Sequence, residues 1–409
     1  MHLSPKLTFC LIAVVYLLAS LVHGPVSPEA VKRVPHLRIG PFVVAPPMVL
    51  SGDSPHFLVA VNSLVEDWDL DLRNNYDQAQ VGGWDMGARF RGQSVDRHVD
   101  EDSKGRQYGT HSVFFSLLFV PFAAPFAGTQ WVAMVCIWVT LAAGLAGIWI
   151  YGKWLNQRKI EGSASMVSIL LLAFATPLLC YSRDIWTEPF VLTIWVAMLT
   201  SSSLSLLALL AFAGTLLKYP FVVVPLTMGI IALYRGDRPR ALTLIGSSLS
   251  ALLLAIVTIQ WMFQYVDHFS LFHSGRHRSF DLPFDGMVGL LFAPETGLFL
   301  FFPFLAWCLF KLPRGKSVYL PALAFFLVHA AYQDWPGGTG FSARYLVPLI
   351  PFMTVAVAEL RNKSTLFMIA AVYGLFWGLL GGFFPALVYD RSPWGVVLHI
   401  WEGVSSLAR

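Results

Sequence analysis

Charged residues are scarce in this sequence. Asp, Glu, Lys and Arg make up 13% of its 409 residues, whereas hydrophobic residues make up 56%. Soluble domains carry about 25% charged residues, so this composition excludes an ordinary soluble protein. The formal net charge of +4 is small, and we expect no nucleic acid partner.

Cysteine is also rare. The four cysteines are Cys10, Cys136, Cys180 and Cys308, and each lies within or at the edge of an apolar run. They therefore indicate neither a disulfide framework nor a cysteine metal cluster.

We also expect no separate C-terminal soluble domain, so residues 1–409 are predicted to form a single membrane module.

Apolar runs, by contrast, are abundant. Many are long enough to cross about 30 Å of hydrocarbon, and a crossing segment must be helical to satisfy its own backbone. The predicted spans are Leu7–Val22, Trp131–Ile150, Ala164–Tyr181, Ala241–Ile259, Met287–Leu309, Val318–Tyr332, Tyr345–Val357 and Thr365–Val388. A cleaved signal peptide is the alternative for the first of them, although no strong small-residue cleavage site follows it.

The stretch from Pro189 to Tyr234 holds either two ordinary crossings or three short ones. Three would be separated by breaks at residues 201–203 and 218–220, and they would place the basic cluster at residues 235–240 in the cytoplasm. The positive-inside tendency favours three. The prediction is therefore an all-α polytopic membrane protein of about eleven transmembrane helices, with its N-terminus inside the cell. We place it in the inner (plasma) membrane.

Acidic residues collect after the first span. Residues 24–110 carry twelve of the 24 acidic residues together with scattered aromatic and aliphatic side chains. This composition favours short amphipathic helices on the outer membrane surface. Val113–Ala127, which contains two prolines, is interpreted as an interfacial helix of the same first extracytoplasmic loop, residues 24–130.

Three polar segments far apart in sequence are predicted to lie on the extracytoplasmic side and to converge on one pocket. They comprise residues 51–58, 181–189 and 334–345. Asp53, in the first, lies where a helix N-cap is expected, just before a serine and a proline. The alternative interpretation is a catalytic carboxylate at the membrane surface.

The other candidate residues also have two interpretations. Asp184 and Glu188 are either solvated charges at a helix end or a pair that orients an acceptor or holds a divalent cation. Arg344 is either an interfacial anchor or a phosphate clamp, since its planar fork suits a phosphate. The loop carrying Arg276 and Arg278 is typical of lipid headgroup binding, and Lys218 is a further candidate for contact with phosphate.

Several motifs resemble those of the C-type (GT-C) integral-membrane glycosyltransferases. The nearest likeness is to bacterial relatives of the dolichyl-phosphate-mannose protein mannosyltransferases and of the lipid A aminoarabinose transferases. The similar stretches are residues 52–58 (Gly-Asp-Ser-Pro-His-Phe-Leu), 69–76 (Asp-Leu-Asp-Leu-Arg-Asn-Asn-Tyr), 181–188, 291–298 (Leu-Phe-Ala-Pro-Glu-Thr-Gly-Leu) and 335–346 (Trp-Pro-Gly-Gly to Arg-Tyr-Leu). They occur in the same order and cover most of the chain.

The resemblance implies an inverting transfer of a sugar from a polyprenyl-phosphate donor to an extracytoplasmic lipid, glycan or protein acceptor. Asp53 would be the catalytic base. Arg344, with Arg276, Arg278 or Lys218, would hold the donor phosphate. The resemblance implies no particular cofactor and leaves a divalent cation on the acidic residues open. Membrane lipids would surround the enzyme.

Two other classes remain open. A secondary transporter would need ionisable residues or broken helices at mid-membrane, and the predicted spans carry almost no charge. A non-catalytic assembly subunit with a degenerate site would share the same motifs. Clustering of Asp53, Glu188 and Arg344 in one outer cavity would favour the enzyme.

Overall fold

The computed structural model describes residues 4–23, 36–39, 42–47, 49, 52–80, 97–102, 104–129, 131–160, 162–263, 280–309, 319–338, 340–358 and 364–407. The α-helices in these ranges are α1 (Pro5–Leu21), α2 (Ser54–Asn62), α3 (Arg73–Gln80), α4 (Val113–Ala123), α5 (Trp131–Gln157), α6 (Gly162–Phe174), α7 (Leu178–Ser182), α8 (Glu188–Thr200), α9 (Leu204–Leu217), α10 (Val223–Tyr234), α11 (Arg238–Phe263), α12 (Phe284–Phe292), α13 (Leu298–Phe301), α14 (Tyr319–Ala331), α15 (Ile350–Ala358), α16 (Thr365–Phe383), α17 (Pro385–Val388) and α18 (Pro393–Leu407). Ser63–Asp67 is a short π-helix. The 3₁₀ segments are Ala124–Phe126, Tyr219–Val222, Pro303–Leu309 and Arg344–Leu349.

The described chain is mostly helical, and three of its helices are long and apolar enough to cross a membrane. These are α5, α11 and α16, and several shorter apolar helices accompany them. On α11 the side chains of Leu242 and Leu253 are 73% and 62% exposed, so an apolar face is left uncovered by protein. A hydrocarbon environment would bury such a face. The predicted class, a helical membrane protein, is confirmed to the extent that the described chain is mostly helical and has three helices able to span a membrane.

The ambiguous stretch from Pro189 to Tyr234 forms three helices, α8, α9 and α10. The breaks lie at residues 201–203 and at Lys218, as predicted. Ser203 ends the first break as the N-cap of α9, where its side chain accepts a hydrogen bond from the amide of Leu206. Both α9 and α10 pack against α11.

Some predicted continuous spans are interrupted, which corrects the sequence interpretation. Ala164–Tyr181 is divided between α6 and α7, with Pro177 at the break. Met287–Leu309 is divided among α12, α13 and a 3₁₀ segment that begins at Pro303. Proline lacks an amide hydrogen and its ring crowds the preceding turn, so a helix readily stops there. An apolar run alone does not reveal where the break falls.

The chain after α1 contains β-structure that the sequence interpretation missed. Strand β1 (Val22–His23) pairs antiparallel with β3 (Phe42–Val44), which pairs in turn with β2 (Leu37–Ile39). A second ladder joins β4 (Val99–Glu101) to β5 (Gln107–Gly109). Strands of two or three residues are too short to show the alternation by which a strand is read from sequence. Helices α2, α3 and α4 lie in the segment for which interfacial helices were predicted, and α2 packs on α4.

Arg183, at the end of α7, connects that helix to the ends of α16 and α1. Its guanidinium is buried and donates hydrogen bonds to the carbonyls of Gly382 and Phe383, at 2.7 and 2.9 Å, and to the carbonyl of Val22 at 3.1 Å. The carbonyls at the C-terminus of α16 have no partners within their own helix, and a cation is favourable there. Arg183 therefore fixes the loop between α7 and α8 against the ends of α16 and α1.

Candidate active site

Three polar segments, far apart in sequence, lie side by side in the structure. Ser54 Oγ, at the start of α2, donates to the carbonyl of Ile185 at 2.9 Å. Tyr181 Oη donates to the carbonyl of Phe341 at 2.8 Å and accepts from its amide at 2.9 Å. Segments 51–58, 181–189 and 334–345 are therefore joined by direct hydrogen bonds, and one charged side chain from each, Asp53, Glu188 and Arg344, lines the same cavity.

Asp53 occupies the N-cap position of α2, yet its side chain makes no capping hydrogen bond within the described residues. The carboxylate is turned instead toward Arg344, and Asp53 Oδ2 lies 2.8 Å from Arg344 Nη1. The other oxygen, Oδ1, lies 3.9 Å from His111 Nε2. Asp53 thus lies at the predicted N-cap position, but capping does not account for the direction in which its side chain points.

The charges around Asp53 keep it ionised. Burial alone would raise the pKa of this carboxyl. The opposing effect of Arg344, followed by His111, His56 and His98, is larger and lowers the pKa well below its ordinary value. Asp53 is therefore an anion at neutral pH and, while paired with Arg344, a weak base.

Arg344 lies at the start of a 3₁₀ segment that contacts α8. Its guanidinium carbon is 4.8 Å from the ring centre of Trp186 and 4.9 Å from that of Tyr345. Gly337, with φ of +81°, allows the preceding loop to approach closely, because a Cβ there would lie 2.9 Å from Arg344 Nε. Arg344 is therefore held in an aromatic slot and is not the exposed anchor of the alternative interpretation.

Lys218 and Glu188 form a second ion pair, in which Glu188 is buried and Lys218 is partly buried. Lys218 Nζ lies 2.7 Å from Glu188 Oε1 and 4.6 Å from the ring centre of Tyr345. Burial lowers the pKa of Lys218, and the neighbouring Glu188 opposes that shift. Thr187 donates to the second carboxylate oxygen of Glu188 at 3.2 Å. The two cations, Lys218 and Arg344, are thus brought to the same aromatic ring.

Asp184 and Glu188, for which acceptor orientation and metal binding were both left open, are not part of any group of metal donors in the described residues. Asp184 is buried, accepts from the adjacent amide of Ile185 at 2.8 Å, and is not among the described residues that line the cavity. Both oxygens of Glu188 are engaged by Lys218 and Thr187. A hard divalent cation needs several oxygen ligands, and these two carboxylates belong to no three-donor group within the described ranges.

A cavity of about 170 Å³ lies between these groups. Asp53, Arg344, Lys218 and Glu188 contribute to its wall, and most of the remaining wall is aromatic or aliphatic. The other lining residues are Phe57, Thr110, His111, Ser112, Trp186, Thr187, Leu217, Tyr219, Pro220, Phe280, Val328, His329, Tyr332 and Tyr345. A small number of charged groups set in an apolar wall is typical of a ligand site. Arg276 and Arg278, also predicted to contact phosphate, lie outside the described residues.

Three histidines beside Asp53 were missed by the sequence analysis. His56 was noted only as part of a motif, whereas His98 and His111 were not singled out at all. The β4–β5 ladder brings the last two together, because the amide of Thr110 bonds to the carbonyl of His98 at 3.0 Å. His98 then stacks on His56 with 3.7 Å between ring centres. Two histidines thirteen residues apart match no metal motif, so only the ladder reveals their proximity.

His329, on α14, was also missed. Its Nδ1 lies 2.9 Å from the carbonyl of Phe325, which can only accept, so Nδ1 carries the hydrogen and Nε2 is an acceptor in the neutral ring. Nε2 is buried without a hydrogen-bond partner in the described part of the chain, and the same holds for Trp186 Nε1 and Arg344 Nε. These three atoms belong to residues that line the cavity. A histidine near the end of an apolar helix was the only signal in the sequence.

No protein-family model and no curated protein matches this chain.

Proposed function

We propose that this protein is an inverting glycosyltransferase that moves a sugar from a polyprenyl-phosphate donor to an acceptor on the extracytoplasmic side of the inner membrane. The observation that carries the proposal is the ion pair of Asp53 and Arg344 in the wall of a cavity that also contains Lys218. A base for the acceptor and cations for a phosphate are the groups that this reaction needs. The motif resemblance points to the same chemistry.

In the proposed reaction, the acceptor hydroxyl or amine loses its proton to Asp53 as it attacks the anomeric carbon. The bond from that carbon to the donor phosphate oxygen breaks, and the electron pair leaves with the polyprenyl phosphate. Arg344 and Lys218 stabilise the charge that builds up on the phosphate. No general acid is required, because a phosphate ester is already a good leaving group. Attack from the opposite face inverts the anomeric configuration.

The ion pair couples donor binding to the basicity of Asp53. A carboxylate paired with an arginine accepts a proton poorly, since the pair favours the charged form. A donor phosphate would compete for the guanidinium of Arg344 and release one oxygen of Asp53. The pKa of Asp53 would then rise toward a value suited to proton transfer. The base would be weak in the empty enzyme and active once the donor is bound.

Turnover of defined donors tests the function. The protein would be reconstituted in nanodiscs with a panel of polyprenyl-phosphate sugars and a membrane extract as the acceptor source. We expect one donor class to release free polyprenyl phosphate and to yield a product with the opposite anomeric configuration. Absence of release for every donor in the panel, with each donor shown to bind, would contradict the proposal.

A transporter of a lipid-linked sugar is the second candidate, and the interrupted helices favour it. Broken helices such as those around Pro177 and Pro303 are used by transporters to line a substrate path. The site, however, contains the carboxylate of Asp53 and the cations Arg344 and Lys218, which are the groups that a sugar-transfer reaction needs. Movement of an intact labelled donor across a liposome membrane, without release of polyprenyl phosphate, would support the transporter instead.

The proposed topology has about eleven spans, with the Asp53 cavity outside and the loop between α8 and α9 inside. Cysteines at the exposed positions Gln78 and Ser202 should distinguish the two sides. In a chain with its native cysteines changed to alanine, we expect an impermeant maleimide added to intact cells to label Gln78→Cys. Ser202→Cys should react only after the membrane is opened. The reverse pattern would contradict the topology.

A further inference from the structure

Asp53, His98 and His111 bring three metal-binding donors together beside the cavity. Their ligand atoms all lie within 4.8 Å of one another. His98 Nδ1 is 3.1 Å from His111 Nε2, and His111 Nε2 is 3.9 Å from Asp53 Oδ1. Within the described residues this is the only group of three or more such donors that could hold an ion.

These spacings suit a small ion. Zinc binds nitrogen and oxygen at about 2.0–2.2 Å, so neighbouring ligands of a tetrahedral site lie about 3.3 Å apart. The two donor separations given above, 3.1 and 3.9 Å, fall on either side of that value. All three donors therefore lie close enough together to share one small ion.

The donor set points to a transition metal of the zinc type. Imidazole nitrogen is a good ligand for zinc, copper, nickel and iron, whereas magnesium and calcium are bound mainly by oxygen. Two histidines and one carboxylate, with a fourth position left open, are the ligands of several catalytic zinc sites. If the chain binds the divalent cation that the sequence analysis considered, the histidines would therefore coordinate it, and Asp184 and Glu188 would not.

Neighbouring groups hold the three donors in place. Asp53 uses Oδ2 for Arg344, and Oδ1 is the oxygen on the side of His111. His98 is supported by its stacking on His56, which is itself fixed by a hydrogen bond of 2.7 Å between its Nδ1 and Tyr76 Oη. Asp53 and His111 both line the cavity, so an open coordination position would face it.

We propose that Asp53, His98 and His111 bind one zinc-type divalent ion in the wall of the cavity, with an open position for an oxygen ligand. Asp53 would then join the metal to Arg344 through its two oxygens. The inference concerns metal binding alone and does not rest on the proposed sugar transfer.

The test is metal stoichiometry in the purified full-length chain, with any affinity tag removed because polyhistidine binds zinc. The protein would be stripped with a chelator, incubated with Zn²⁺ alone, desalted and measured by mass spectrometry of the metal. We expect about one zinc per chain for the wild type and at least a 10-fold weaker affinity for His98→Ala and His111→Ala. His399→Ala, at an exposed position on α18, is the matched control and should keep wild-type affinity.

A second measurement does not depend on the folding of any variant. Co²⁺ added to the stripped wild type should give the strong visible absorption of a four-coordinate ion, and Zn²⁺ should abolish it by displacement. Absence of bound zinc and of this absorption would overturn the proposed site. Full binding retained by both alanine variants would overturn the site as well.

Discussion

Replacing Asp53 by asparagine should abolish sugar transfer while leaving the chain folded and able to bind its donor. The substitution keeps the size of the side chain and removes its charge and its ability to take a proton. Loss of a general base slows a reaction by about 10²–10⁴-fold, so turnover should fall by at least about 100-fold. Donor affinity should stay the same or increase, because Arg344 loses the partner that competes with the phosphate.

The control for this substitution is Asp237→Asn, the same chemical change at an exposed residue between α10 and α11. It should transfer sugar at the wild-type rate. Both variants would be assayed for release of polyprenyl phosphate and for donor binding, with thermal unfolding measured in parallel. Turnover of Asp53→Asn within a few-fold of the wild type would exclude Asp53 as the base and leave it as the electrostatic partner of Arg344.

The sequence predicted the location of Asp53 but not its partner. Gly-Asp-Ser-Pro is a local pattern, and the structure starts α2 where that pattern indicates. The ion pair with Arg344 depends on how α2, the loop before α8 and the loop before α15 pack together. Only sidedness, inferred from basic loops, suggested that the two residues could meet. The breaks around α9 were also predictable, because serine and proline act locally.

Arg183 and His111 show what sequence reasoning could not reach. Arg183 was not among the candidate residues, yet it is buried against carbonyls at the end of α16. Those partners are backbone groups, which every residue possesses, so no sequence signal identifies them. His111 reaches Asp53 because a short ladder folds the chain back, and strands of three residues leave no periodic pattern.

Replacing Arg344 by lysine should reduce both donor affinity and turnover, although the positive charge is kept. A compact ammonium cannot reproduce the two parallel hydrogen bonds that a guanidinium offers to a phosphate. One hydrogen bond to a charged group contributes about 1.5–3 kcal/mol, so the expected loss is roughly 10- to 100-fold. The flat slot formed by the rings of Trp186 and Tyr345 also suits a planar cation better than an ammonium group.

Retention of the charge makes this substitution informative, because Lys at position 344 can still neutralise Asp53. Any loss of donor affinity or turnover is then caused by the different shape of the cation and not by an unpaired Asp53 carboxylate. Arg238→Lys, at an exposed position at the start of α11, is the matched control and should behave as the wild type. Donor affinity and turnover would be measured for both variants in nanodiscs. Wild-type values for Arg344→Lys would exclude a bidentate clamp, and the phosphate would then be assigned to Lys218 or to Arg276 and Arg278, beyond the described residues.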